Sequence, residues 1–198
     1  NIDTGLADQV IEGLRLTTKP EPLKPAKPVN TTLAKSTALS IMLNGPQDFK
    51  GRKLGVLLSD NVDANLFYSL QKQVSQIQAV LEIIAPQVGG VKLSDGSWIQ
   101  ADQNIDGGPS VLYDAIVILI NTIDTEKWLK MLSVRDFITD AYFHCKFIGY
   151  SQGAQTLIQK LGLSENMDQG FVQINEISSI EKFLTKCGQL RFWQREKA

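Results

Sequence analysis

The sequence predicts an α/β domain: a doubly wound, mainly parallel sheet with helices on both faces, preceded by an N-terminal helix and an extended linker. Three observations predict it. Apolar runs at Lys53–Leu58, Ala115–Ile120 and Lys146–Tyr150 have the continuous hydrophobicity of strands covered on both faces. Stretches with apolar residues at helical spacing alternate with those runs, as crossover connections require. A Pro/Lys-rich stretch sets this part apart from a single amphipathic helix at the start.

The elements follow in order. Ile2 to Leu16 reads as a helix, with Asp3 or Thr4 as its cap and Leu6, Val10 and Leu14 along one side. One amphipathic helix cannot bury its face alone, so this helix is expected to dock on something. Between Thr17 and Gln47, Pro20, Pro22, Pro25 and Pro28 alternate with Lys19, Lys24 and Lys27. Proline fixes φ, removes a donor and holds the preceding residue extended, so a tether or strap is expected here. The apolar stretch Leu39 to Leu43 at its end points to contact with a neighbouring surface. The domain limits expected are 1–16, 17–48 and 49–198.

Within the last part, Asn61 to Val80 is expected as a helix with Leu66, Leu70, Val74 and Ile77 inward, then a strand from Leu81 to Ala85. Val91 to Gln100 reads as a hairpin turning at Asp95-Gly96. Asp124 caps a helix reaching about Tyr142, burying Trp128, Leu132 and Ile138. Gln152 to Leu161 is a helix stopped by Gly162, and Phe171 to Ile174 a strand. Ser178 with Glu181 reads as the capping box of a last helix with Ile180, Phe183, Leu184 and Cys187 inward. The tail Leu190 to Ala198 carries Phe192 and Trp193 among charges.

Composition narrows the function classes. The chain has 198 residues, 43% of them hydrophobic, enough for one sizeable domain core. With 20 basic and 21 acidic residues it has no charge surplus to draw nucleic acid or an anionic membrane. No apolar run approaches the roughly 20 residues of a membrane span. No basic-then-apolar leader follows Asn1, and the missing initiator Met reads as a processed protein or a piece of a longer one. The two cysteines, Cys145 and Cys187, would allow one disulfide, but each lies on an apolar element, so buried free thiols are expected.

The chemistry centres on Phe147-Ile148-Gly149-Tyr150-Ser151-Gln152-Gly153-Ala154. A strand turning straight into a helix, with Ser151 at the apex of Gly-x-Ser-x-Gly, has the form of a nucleophile elbow. The small residues are needed because the turn brings backbones close together. Ligands of such sheets bind at the carboxyl ends of the strands, which is where Ser151 and Asp60 fall. Ser151 is the candidate nucleophile and Asp60 a candidate acid. Their plainer roles are a helix-capping hydroxyl and a solvated or capping strand-end carboxylate. A serine nucleophile needs a base in reach, usually His following it in this fold. The single histidine, His144, precedes the elbow strand, on the order of 20 Å from Ser151 at about 3.3 Å per residue. A Ser-His-acid triad is therefore not expected, and one His with two separated Cys excludes the usual zinc and haem constellations within this chain. Gly107-Gly108-Pro109-Ser110 precedes a strand, unlike a phosphate loop, and Gly89-Gly90 is a turn.

The order of these elements resembles the class I glutamine amidotransferase-like superfamily, which includes the PfpI-like proteases. That resemblance implies a flavodoxin-like sheet with a Cys nucleophile at the elbow and a later His. Here Ser151 stands at the Cys position and no His follows it. A narrower resemblance is to the C-terminal domain of large-subunit haem catalases. It lies in Phe49-Lys50-Gly51-Arg52-Lys53 before the first strand, Ser59-Asp60 after it, and the Asp95-Gly96 hairpin. It continues in Gly108-Pro109-Ser110, in Ala141-Tyr142-Phe143-His144-Cys145-Lys146, in Asp168-Gln169-Gly170 and in Arg191-Phe192-Trp193. Residues Ile2 to Leu16 resemble the end of the catalase core, and the Pro-rich segment its link. The resemblance implies a parent that is a haem-bearing homotetramer decomposing hydrogen peroxide, with haem held by a core this chain lacks. It implies a stabilising or chaperone-like accessory role here, with no cofactor in this chain and the core of the same polypeptide as partner. A cytoplasmic location is expected. The alternative is a PfpI-like hydrolase or amidase using Ser151, with Asp60.

Overall fold

The computed structural model describes residues 3–30, 32–163 and 167–197. Ile2 of the expected first helix and Ala198 of the expected tail lie outside the described residues. The chain forms two compact units, Asn1–Ser40 and Ile41–Ala198.

The first unit is one helix and an irregular chain. Helix α1 spans Thr4–Gly13, and the Asp3 carboxylate caps it by accepting the Leu6 N–H at 2.8 Å. None of its residues is buried, and Leu6, Val10 and Leu14 stand exposed along one side. Lys19 returns to the helix through an ion pair with Asp8. Between Leu14 and Ser36 the described residues form no helix or strand, as the prolines dictate. Two short turns differ from the extended linker expected: a 3-10 turn at Thr37–Leu39 and helix α2 at Ile41–Asn44, the latter in the second unit. Leu39, Ile41 and Leu43 are all exposed.

The second unit is the α/β domain. Its elements are β1 (Lys53–Leu58), α3 (Ala64–Gln76), β2 (Val80–Ala85), β3 (Val91–Lys92), β4 (Trp98–Ile99) and β5 (Gln103–Asn104), then β6 (Ala115–Leu119) and α4 (Thr125–Leu129). They continue as α5 (Leu132–Phe143), β7 (Ile148–Tyr150), α6 (Gln152–Lys160), β8 (Phe171–Gln173) and α7 (Ile177–Cys187). The main sheet runs β5-β2-β1-β6-β7-β8, every neighbouring pair parallel. This is a flavodoxin-like, doubly wound sheet extended by one edge strand. Strand order reverses between β1 and β6, so the carboxyl ends of those two strands flank the crevice where such folds bind ligands.

Alternation along the strands sorts side chains into two cores. Ala115, Val117 and Leu119 of β6 pack with Phe67, Leu70 and Val74 of α3 and with Ile180 and Phe183 of α7. Ile116 and Ile118, with Ile120 just beyond, pack on the other face with α4, α5 and α6. Helices thus cover both faces, which explains why the central strands read as unbroken apolar runs.

Several element limits differ from expectation for local reasons. Helix α3 starts at Ala64 because Asp63 accepts the Leu66 N–H at 2.7 Å, and it turns Phe67 rather than Leu66 fully inward. The single helix expected from Asp124 is two, α4 and α5, offset at Lys130–Met131; the offset leaves Leu132 exposed and buries Val134 and Phe137 instead. Glu176 is the N-cap of α7, two residues before the Ser178 expected, and Ser179 Oγ accepts the Glu176 N–H at 3.4 Å. Strand β5 is short and polar and carried no hydrophobic signal. The hairpin forms as expected, with Gly96 at φ +87° and Asp95 accepting the Ser97 N–H at 2.9 Å.

Both cysteines are free and buried. Burial pushes both thiols up, Cys187 well above the ordinary value, so neither supplies thiolate near neutral pH. The native chain should therefore be nearly inert to Ellman's reagent over minutes, while the guanidinium-unfolded chain releases two equivalents. A fast-reacting thiol in the folded protein would show that one of these sites opens.

Candidate functional site

The crevice at the switch point is built by two serines. Ser59 follows β1 and Ser151 follows β7, so both flank the exit of β6. Ser59 Oγ accepts the Asn121 N–H at 2.8 Å. Ser151 Oγ accepts the Ile120 N–H at 3.1 Å and donates to the Ile120 carbonyl at 3.0 Å. A peptide leaving a strand loses its ladder partner, and these hydroxyls replace it. Ser151 therefore does not cap α6 with its side chain, as the plainer reading had it; its hydroxyl is spent sideways on β6.

The glycines of the elbow are explained by contact. A Cβ on Gly153 would lie 2.2 Å from the Ile120 carbonyl oxygen, and one on Gly149 would lie 2.5 Å from Ile174 Cδ1. Close approach of α6 to the β6 exit thus demands Gly153. Ser151 itself has φ −77° and ψ 163°, ordinary extended backbone, without the strain of a hydrolase elbow.

Ser151 and Asp60 are not brought together. Ser151 lines an open cleft of about 310 Å³ with Asn61, Asp63, Asn121 and Gln152. Asp60 lines a separate cleft of about 70 Å³ with Gln87, Asp124 and Lys127, and its carboxylate accepts the Lys92 N–H at 2.8 Å. Among the described residues the hydrogen-bond partners of the Ser151 hydroxyl are backbone groups, and no side-chain base reaches it. His144 caps the carboxyl end of α5, exposed, on the amino-terminal side of β7 and away from the elbow.

Haem does not fit the residues present. His144 is exposed at a helix end, both thiols are buried, Cys187 within a packed core, and neither the Ser151 cleft nor the Asp60 cleft is lined by His, Cys or Tyr. No group of three metal-ligating side chains occurs among the described residues, and no described helix is long and apolar enough to cross a membrane.

The most heavily charged buried region lies at the opposite, amino-terminal end of the sheet, and sequence reasoning missed it as a site. Lys146 is 2% exposed and donates to the carbonyls of Ser110 at 2.5 Å and Tyr113 at 2.6 Å. Arg195 of the tail donates to Lys146 O at 2.6 Å and forks onto Asp168 at 2.6 and 2.9 Å, between the rings of Tyr142, Phe171 and Phe192. The available signal was a lone Lys inside the apolar run Cys145–Tyr150.

Two measurements test these assignments. A fluorophosphonate probe should leave the mass of the folded chain unchanged, in the wild type and in Ser151→Ala alike; a stoichiometric adduct that S151A abolishes would mean that the hydroxyl is activated. Lys146 gives a pH signature. Burial first, then the nearby Arg191 charge, pushes its amine down from 10.5 to about 8, against the opposing pull of Asp114 and Asp140. Between those values the unfolded chain holds a proton that the folded one has released, so this residue stabilises the fold progressively as pH rises through the window. In urea titrations the stability of the wild type minus that of Lys146→Met should therefore grow from pH 8 to 10.5. A flat difference would refute the shift.

Comparison with known proteins places this geometry. The family described as the C-terminal domain found in long catalases matches residues 50–197. Catalase C of Rhizobium meliloti is 43% identical over 99% of this chain and 28% of its own length. Catalase HPII of Pseudomonas putida is 30% identical over 100% of this chain and 27% of its own length. The chain thus spans little more than a quarter of these relatives, in which the matching region is part of a longer catalase polypeptide. Among solved structures, oxidised DJ-1 of Toxoplasma gondii aligns over 74% of this chain and 95% of its own, with TM-score 0.57 at 15% identity. Drosophila melanogaster DJ-1beta aligns over 74% and 94%, with TM-score 0.58 at 12% identity. At those identities the likeness is one of fold. The matching family and the two catalase relatives agree: the chain belongs to the family of C-terminal domains found in long catalases.

Proposed function

We propose that this chain is a non-catalytic accessory domain of a large-subunit haem catalase, whose core decomposes hydrogen peroxide to water and oxygen. One observation carries the reading: the elbow hydroxyl is committed to both backbone groups of Ile120 and has no side-chain base. The domain keeps the scaffold of a superfamily whose members include hydrolases, while its serine acts as a structural pin. In this reading the haem belongs to the core of the same polypeptide, the parent is a cytoplasmic homotetramer, and the domain stabilises that assembly.

A chaperone-like contribution has its own support. In the first unit Leu6, Leu14, Leu23 and Leu33 are at least half exposed and Val10 nearly so. Such apolar side chains on a capped helix and on the proline-held chain that follows can cover the exposed surface of an unfolding neighbour without first unfolding themselves.

The isolated chain should release no oxygen from hydrogen peroxide, with or without added haem, and should lower light scattering from a heat-denatured client enzyme in proportion to its concentration. Oxygen release would overturn the accessory reading. Scattering equal to that with an inert protein at the same concentration would overturn the chaperone-like part of it.

A further inference from the structure

Three cations meet at the amino-terminal end of the sheet, and among the described residues none of them forms an ion pair. Lys146 donates to the Tyr113 carbonyl at 2.6 Å, and Arg191 Nη1 donates to the next carbonyl, that of Asp114, at 3.1 Å. Arg52 enters beside the same peptides: Lys53 N–H donates to Asp114 Oδ2 at 3.0 Å, and Asp114 N–H donates to the Lys53 carbonyl at 2.8 Å. Among the described residues, none of Arg52, Lys146 and Arg191 takes part in an ion pair. The neighbouring cations are already balanced, Lys53 by Glu82 and Arg195 by Asp168. Asp114, which accepts from the Lys53 N–H, and Asp140, which acts on Lys146, are the carboxylates near these three positive charges, and neither is within ion-pair distance of them.

The second observation is an orphan donor. Arg52 is only 9% exposed, and its Nη1 is buried with no hydrogen-bond partner. A buried guanidinium N–H without an acceptor is costly, and native proteins rarely leave one so. Hydrogen bonds to the two guanidinium groups are also the geometry that tetrahedral and planar oxyanions accept best. Arg191 is half-buried, so part of it is reachable from solvent.

We propose that this end of the sheet binds a small oxyanion, with Arg52 and Arg191 as its ligands and Lys146 as the third positive charge. The site lies at the opposite end of the sheet from the Ser151 crevice, and it stands whether or not the accessory reading does. The bound anion would satisfy Arg52 Nη1 and offset the repulsion among the three cations. It would also fasten the tail, through Arg191, to the start of β6.

Thermal unfolding of the 198-residue chain in inorganic phosphate, against sodium chloride at matched ionic strength, tests this. Phosphate should raise Tm along a curve that saturates in the low-millimolar range, as a single site requires. Arg191→Gln should lose most of that rise. Equal Tm in the two salts would overturn the proposal. So would a rise that never saturates and persists in R191Q, because general exclusion of a kosmotropic salt gives that result. Arg52→Gln should behave like R191Q; if its buried position prevents folding, R191Q alone decides, since Arg191 is partly solvated. Broadening of the phosphorus resonance by wild-type chain, absent with R191Q, is the direct check.

Discussion

Everything in the α/β domain is hung on β6. Its six-residue apolar run, Ala115 to Ile120, is buried on both faces and supplies alternate side chains to the two cores. Each buried Ile, Val or Leu of this run contributes roughly 1.5–3 kcal/mol on leaving water. The strand also sits between β1 and β7, so its register sets theirs. A central strand of this kind cannot end freely, because every peptide beyond the ladder needs a partner in a dry environment. The two ends of β6 are therefore where the domain spends its polar side chains.

The two ends are solved differently. At the carboxyl end, neutral hydroxyls from Ser59 and Ser151 grip the departing peptides, and Gly153 lets α6 approach them. This arrangement keeps the outward form of a nucleophile elbow while removing what would make it react: the serine is unstrained, doubly bonded to backbone and without a base. At the amino end, charged side chains do the same work. Lys146 and Arg191 hold consecutive carbonyls, and the tail is locked behind them by the Arg195–Asp168 fork within an aromatic box. Neutral pins at one end and cationic ones at the other give the domain a rigid reactive-looking face and an electropositive rear.

The first unit has the opposite character. Helix α1 is well capped yet buries nothing, and the prolines after it prevent the chain from folding back into a helix or strand. An amphipathic helix of ten residues is marginal alone in water. Its apolar side is exposed, and the chain covers just over a quarter of the catalases it matches.

Much of this was legible from residues alone. Continuous apolar runs at Leu54–Leu58 and Ala115–Ile120 demanded strands covered on both faces, helical spacing between them demanded crossovers, and the position of His144 ahead of the elbow ruled against a triad. Those inferences rest on local periodicity and chain order, which a sequence states directly. What it could not state was where side chains meet. Whether Ser151 capped its own helix or crossed to Ile120, whether Asp60 faced the serine or the hairpin, and which of Leu132 and Val134 went inward all depend on offsets of one or two residues. Such offsets are decided by packing between distant segments. The charged cluster at the amino end was hidden for the same reason: Arg52, Lys146 and Arg191 lie far apart in the chain, and only the closing of the parallel sheet brings Lys146 and Arg191 onto two adjacent peptides beside Arg52.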